Sequence, residues 1–365
     1  MKLVHISTEK FWRGGEQQIA YLINHLNDRG VENYLICDAN SEMEKYAIDN
    51  NLNYFSINYV NSINPIAILK LSKLIKQINP DYVHLHSSKA HTLGLLAGKL
   101  INFDQFILHR RVIFPIKQKQ INIWKYNTPR LLKIICISKA VEEEVEKIVK
   151  DPEKITVIHS AIDLNRFKNI SNEKKLHEEF DFEEDNKLVV NVSALNREKN
   201  LETFIKAASL VLRKSDVNIK FLIVGEGPEK DNLMELTRTL NIEDHVIFTG
   251  FRKDVPNILL QSDLFVLTSI SEGLGSSILD AFASGVPAVA SKVGGIPEIV
   301  IDNYTGYTLE PGDEEGFAFN ILKLIENNTL RKELSENALQ LVSDYSIKSM
   351  IDKYLQLYKE LEGKG

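Results

Sequence analysis

The sequence predicts an α/β protein built from two doubly wound domains. Two observations carry this reading. Short apolar runs alternate with helical patterns from end to end, and a charged stretch interrupts the alternation near the middle before it restarts. A third is length. At 365 residues and 41.6 kDa the chain exceeds the roughly 150 residues that one domain usually takes. The reading places an N-terminal domain at 1–170 and a second domain at 171–344. A last helix, about 345–365, is expected to pack back on the first domain.

The elements follow in order. KLVHIS (2–7) reads as a buried parallel strand ending in a glycine-containing loop. After Gly14-Gly15, residues Ile19, Leu22, Ile23 and Leu26 share one helical face, and Gly30 closes that helix. YLIC (34–37) is the next strand. Pro65 opens a helix through Ile66, Leu69, Leu74, Ile75 and Ile78, and YVHLH (82–86) follows as a strand. FILH (106–109), IIC (134–136) and ITVI (155–158) continue the series, with Ser138 as an N-cap for KAVEEEVEKIV. The charged stretch Asn172–Lys187 marks the domain boundary. LVVNVS (188–193), FLIVG (221–225), HVIFTG (245–250), LFVLTS (264–269) and PAVAS (287–291) then form a second set of strands. A final helix from Ile347 to Leu361 is apolar enough to need a packing surface.

Composition excludes several classes. Hydrophobic residues make up 44% and charged residues 26%, ordinary for a globular chain. Cys37 and Cys136 sit among apolar neighbours and read as buried free thiols, too few for a disulfide framework. Charges at Glu9 and Lys10 leave no room for a signal peptide, and the longest uncharged window, Asn50–Leu69, is too polar to span a bilayer. A cytoplasmic protein is expected. The net charge of −6 conceals an asymmetry: residues 1–170 are basic on balance and the remainder acidic. From Lys99 to Lys139 the bases are interleaved with Ile113, Phe114, Ile116, Ile121, Ile123, Trp124 and Tyr126. That mixture suits an anionic membrane surface, although the apolar residues also fit an ordinary core and the bases a phosphorylated acceptor.

In doubly wound domains ligands bind where strands end and helices begin. The most informative such segment is SEGLGSSILDAFASGVPAVASKVGGIPEIV, residues 271–300. Glu272 lies in the loop after a strand, and Ser276-Ser277 open a helix whose first amides are ready donors to an anion. Asp280 stands eight positions beyond Glu272, so two carboxylates flank that anion site.

Six motifs in order now give a family resemblance: Arg13-Gly14-Gly15, Lys199-Asn200, VGEGP (224–228), GFRKDVP (250–256), SEGLG (271–275), and SGVPAVASKVGGIPEIV with GYTLEPGD after it. The chain resembles family 4 glycosyltransferases, with their GT-B fold of two Rossmann-like domains facing across a cleft. Three departures stand out. Asp280 replaces the usual second Glu, Ala194 stands where an Arg is normal, and the usual PNGVD linker reads Ser160-Ala161-Ile162-Asp163 after His159.

The resemblance implies a retaining transferase that moves a sugar from a nucleotide-diphosphate donor to a hydroxyl acceptor. A UDP-sugar is the favoured donor and a GDP-sugar the alternative. The acceptor is expected to be an envelope glycan or lipid-linked precursor. Glu272, His109 and Lys199 are the expected catalytic residues. Donor binding falls to Gly14, Gly15, Arg197, Gly225, Gly250, Phe251, Arg252, Gly273, Leu274, Gly275, Ser276, Ser277 and Asp280. His86, Lys89, Arg110 and Arg111 are expected on the acceptor side, and His84 in the core. No D-x-D pair occurs, so no metal or other cofactor is expected, and protein groups must neutralise the departing diphosphate. Nucleic acid is not an expected partner; an anionic membrane surface, on its inner face, is. A GT-B nucleotide-sugar epimerase and a non-catalytic nucleotide-sugar-binding protein are the alternative functions.

Overall fold

The computed structural model describes residues 1–59, 64–168, 170 and 175–363. The chain divides into two compact units, Met1–Ala161 with Ile347–Gly365, and Ile162–Ser346. The sequence places the boundary in Asn172–Lys187, of which residues 172–174 lie outside the described residues.

The first unit is built on seven parallel strands: β1 (Lys2–Ile6), β2 (Glu32–Asp38), β3 (Tyr54–Ile57), β4 (Tyr82–Leu85), β5 (Phe106–Arg110), β6 (Leu131–Cys136) and β7 (Ile155–Val157). Their order across the sheet is β3-β2-β1-β4-β5-β6-β7. Leu3, Val4, Val83, Ile107 and Ile134 are solvent-free, as expected of strands covered on both faces. The helix Ile347–Glu362 belongs to this unit because its Met350, Ile351, Leu357 and Tyr358 bury against Leu22 and Leu26 of the Gly14–Asn27 helix. Each such side chain contributes about 1.5–3 kcal/mol, which a polar-faced helix alone could not recover.

The second unit repeats the plan with β8 (Lys187–Val192), β9 (Ile219–Val224), β10 (Val246–Gly250), β11 (Leu264–Leu267), β12 (Ala288–Ser291) and β13 (Gly306–Leu309). Its order is β10-β9-β8-β11-β12-β13, again all parallel. Each unit is therefore doubly wound, with a switch point where the strand order reverses. That point lies between β1 and β4 in one unit and between β8 and β11 in the other.

Two edge elements differ from the sequence reading. β3 and β13 were not expected as strands. Tyr54–Ile57 is partly exposed and too short to show a pattern, and Gly306 at the start of β13 looks like a breaker. Its lack of a side chain is what admits it, since a Cβ there would lie 1.8 Å from the Ala288 carbonyl oxygen. β6 also begins at Leu131 rather than at Ile134. Ser138 caps its helix as expected, accepting from the Val141 amide, and both cysteines are free and buried.

Candidate active site

In the second unit, Lys199 and Glu272 come from the loops that follow β8 and β11, the two strands at the switch point. Their side chains form an ion pair. Ser269 Oγ donates to the same carboxylate oxygen at 2.9 Å, a contact no motif indicated. The Lys199 loop is itself tied down. Thr268 Oγ1 donates to the carbonyls of Lys199 (3.1 Å) and Asn200 (2.9 Å), and Asn200 is left-handed at φ 48°. The pair is only partly exposed, 23% at Lys199 and 12% at Glu272, so both charges are kept close to solvent without being freely mobile.

Glu272 leads through Gly273 and the buried Leu274 to Gly275, which caps the helix Ser276–Ala283 at φ 86°. A side chain at 275 would need that left-handed backbone and would press on Ile278 and Ile296. Ser276 and Ser277 occupy the first turn, where amides have no partner within the helix. Asp280 sits one turn on. Burial pushes its carboxyl up to about 6, and Arg166, at 3.6 Å, only partly offsets this.

The other expected donor residues surround the ends of β8, β9 and β10. Gly225 is required by sterics, since a Cβ there would lie 1.9 Å from the Ser193 carbonyl oxygen. Gly250 ends β10 and Phe251 is 73% exposed beside it. Arg252 is committed to Asp254 and Glu179, which raises its already high pKa. Arg197 is largely exposed, 3.4 Å from Glu229.

In the first unit, Gly14 and Gly15 are the first residues of the Gly14–Asn27 helix, and neither has a positive φ. A turn therefore does not explain them, while a Cβ on Gly14 would meet nothing within 4 Å. His109 is on β5, buried, with Nε2 2.8 Å from His84 Nδ1. His86, just past β4, is also buried, and Arg111 reaches it through both terminal nitrogens at 3.2 Å. Burial first, then neighbouring positive charge, holds the pKa of His84, His86 and His109 well below the usual histidine range. Arg110 donates to the Phe114 carbonyl at 2.5 Å, and Lys89 lies in the first turn of the Ser88–Ile101 helix. Sequence reasoning missed His5, Asn33, Tyr354 and Tyr358, which complete the histidine cluster. His5 in the middle of a buried strand was the available signal.

Two family models match this chain, "Glycosyltransferase Family 4" over residues 12–166 and "Glycosyl transferases group 1" over residues 172–341. EpsD of Bacillus subtilis is 30% identical over 311 residues, 81% of each chain. This chain belongs to the family 4 glycosyltransferases. The glycosyltransferase is also 27% identical to N-acetyl-alpha-D-glucosaminyl L-malate synthase of Bacillus anthracis, over 80% of this chain and 78% of that one. It is 26% identical to UDP-Gal:alpha-D-GlcNAc-diphosphoundecaprenol alpha-1,3-galactosyltransferase of Escherichia coli, over 99% and 97%. Its fold matches a glycosyltransferase from Rickettsia africae with TM-score 0.89 at 24% identity, covering 100% and 99% of the two chains. Anabaena HepE in complex with UDP-glucose matches with TM-score 0.86 at 20% identity, covering 99% and 100%. Both units of this glycosyltransferase thus have the Rossmann-like form of the GT-B class. No helix among its described residues is long and apolar enough to cross a membrane.

Proposed function

We propose that this glycosyltransferase transfers a sugar from a UDP-sugar to a hydroxyl of an envelope glycan or lipid-linked precursor, with retention of configuration and without a metal. The observation that carries the reading is the Lys199–Glu272 pair at the β8/β11 switch point, next to the first turn of the Ser276–Ala283 helix. Lys199 and the first-turn amides supply positive potential for a departing diphosphate without a cation. Glu272 orients donor sugar hydroxyls rather than attacking the anomeric carbon, and Asp280 meets the ribose. The leaving phosphate takes the acceptor hydroxyl proton as the new glycosidic bond forms and the old one breaks, so atoms and charge balance.

The uridine donor is supported by the likeness to HepE, which binds UDP-glucose, and to the UDP-Gal-dependent galactosyltransferase, and the lipid-linked acceptor by the likeness to the latter. A surface depression of about 410 Å³ in the first unit, lined by Arg110, Val112, Phe114, Lys117, Lys119 and Lys125, suits an acceptor that is both anionic and apolar. Val112, Phe114 and Ile121 are exposed there, beside the bases. Enzyme action from the cytoplasmic face of a membrane, held peripherally, follows from this reading. The test is incubation with radiolabelled UDP-sugars, with and without acceptor extract, in the presence and absence of EDTA. Acceptor-dependent label transfer that survives EDTA supports the proposal. Acceptor-independent isomerisation would favour an epimerase, and binding alone would favour a non-catalytic role.

A further inference from the structure

Four buried histidines of the first unit, His5, His84, His86 and His109, form one cluster whose ring nitrogens are all engaged. Their proton positions follow from their partners. Asn33 Nδ2 donates to the Val31 carbonyl at 2.9 Å, so Asn33 Oδ1 is the atom that faces His5 Nε2 at 3.0 Å, and that nitrogen must carry a proton. From the other end, Arg111 has only donors, so His86 Nδ1 at 3.2 Å must be bare. His86 therefore carries its proton on Nε2 and donates it to His5 Nδ1 at 3.0 Å. The two ends of the chain require the same arrangement. Both rings are uncharged by hydrogen-bond accounting alone.

A second chain starts from the same guanidinium. Arg111 Nη2 lies 3.5 Å from His109 Nδ1, and the Tyr354 hydroxyl lies 3.3 Å from it. A bare Nδ1 there leaves His109 Nε2 to donate to His84 Nδ1 at 2.8 Å, and His84 Nε2 to donate to the Tyr358 hydroxyl at 3.0 Å. The C-terminal helix thus closes the network. Among the described residues no carboxylate forms an ion pair with Arg111. Glu16, whose charge acts on Arg111 without an ion pair, accepts from the Arg13 amide at 3.2 Å.

A carboxylate would orient a guanidinium and cancel its charge together; a neutral imidazole does only the first. We propose that the histidine cluster is an uncharged cradle that aims Arg111 while leaving its positive charge unspent, making Arg111 the anchor for a phosphate group. Arg111 Cδ lies 3.7 Å from where a Cβ of Gly15 would be, so the arginine stem passes beside the first turn of the Gly14–Asn27 helix, whose amides favour an anion too. This deepens and rests on the transferase reading, in which the phosphate belongs either to the donor diphosphate or to an anionic acceptor. His86 and His5 are positioning residues here; Arg111 touches the ligand.

A cation is the rival occupant, since a nitrogen from each of His5, His84 and His86 lies within 4.8 Å of the others. The adjacent guanidinium and the filled hydrogen-bond capacity of every ring oppose it. The test uses the full chain labelled with ¹⁵N histidine, together with calorimetric titration of inorganic phosphate, alone and with saturating UDP. The proposal expects the Nε2–H tautomer at His86 and His5, and phosphate binding that Arg111→Met weakens at least tenfold. His86→Phe should do the same, with partial recovery in His86→Gln. Arg111→Lys serves as a second variant should a histidine variant fail to fold. Phosphate binding abolished by UDP assigns the anion to the donor; binding that persists assigns it to the acceptor. An Nδ1–H tautomer at His86, phosphate affinity unchanged in Arg111→Met, or Zn²⁺ titration shifting the three histidines at micromolar metal would each overturn it. Sugar transfer by the wild-type protein tests the transferase reading separately, so the two fail independently.

Discussion

Replacing Asp280 by Asn is expected to stabilise the ligand-free protein while weakening its hold on nucleotide. Burial raises this carboxyl from 3.8 to about 6, so folding disfavours its charged form. At about 1.4 kcal/mol per pH unit, the penalty at neutral pH is at most about 3 kcal/mol. The side chain is 24% exposed and Arg166 stands at 3.6 Å, which reduces the expected gain to about 1–2 kcal/mol. For a domain of this size that is a rise of roughly 3–6 °C in Tm. The sign with pH follows from the raised value. The penalty is fully present above pH 6 and fades as pH falls toward the unfolded value, so at pH 5 about half the difference between the two proteins should remain. Thermal unfolding of both proteins at pH 7.5 and pH 5, with and without UDP, measures all of this. UDP should stabilise the wild type more than the variant, by about 1.5–3 kcal/mol for a lost charged hydrogen bond. A ligand-free variant less stable than wild type at pH 7.5 would refute the reasoning. It would mean that the Arg166 pair outweighs desolvation.

Other outcomes follow from the same site. Lys199→Ala should weaken UDP binding by at least about tenfold and leave uridine binding within about twofold, as calorimetry can read, because the amino group answers to phosphate charge. Equal losses for both ligands would place Lys199 elsewhere. The basic, apolar-studded segment Lys99–Lys139 should bring the protein down with vesicles containing anionic lipid at low salt and release it at high salt, each base contributing on the order of 1 kcal/mol. No sedimentation at low salt would remove the membrane from the account and leave the enzyme.

Much of the fold was legible because buried parallel strands announce themselves as apolar runs. LVVNVS, FLIVG and LFVLTS each coincide with a strand to within a residue or two. Edge strands were not legible, because Tyr54–Ile57 and Gly306–Leu309 lack a run that burial on both faces would demand. The loop positions of Lys199 and Glu272 were readable from motif order, but their mutual ion pair and its support from Ser269 were not. That contact joins loops 73 residues apart in sequence, and only strand order brings them together. The histidine cluster was half visible. His84, His86 and His109 end apolar strands, whereas Tyr354 and Tyr358 read as packing residues of a terminal helix. Nothing in one sequence says that a helix 245 residues downstream will hydrogen-bond to His109.

The most direct test of the central claim is label transfer from a UDP-sugar by Glu272→Gln protein, with its folding checked by thermal melting. Glu272 lies in a loop, and the amide preserves volume, so the fold should persist. The account predicts a transfer rate at least about a hundredfold below wild type, with UDP affinity little changed. A folded variant that transfers sugar at the wild-type rate would contradict the assignment of the β8/β11 switch point as the catalytic site.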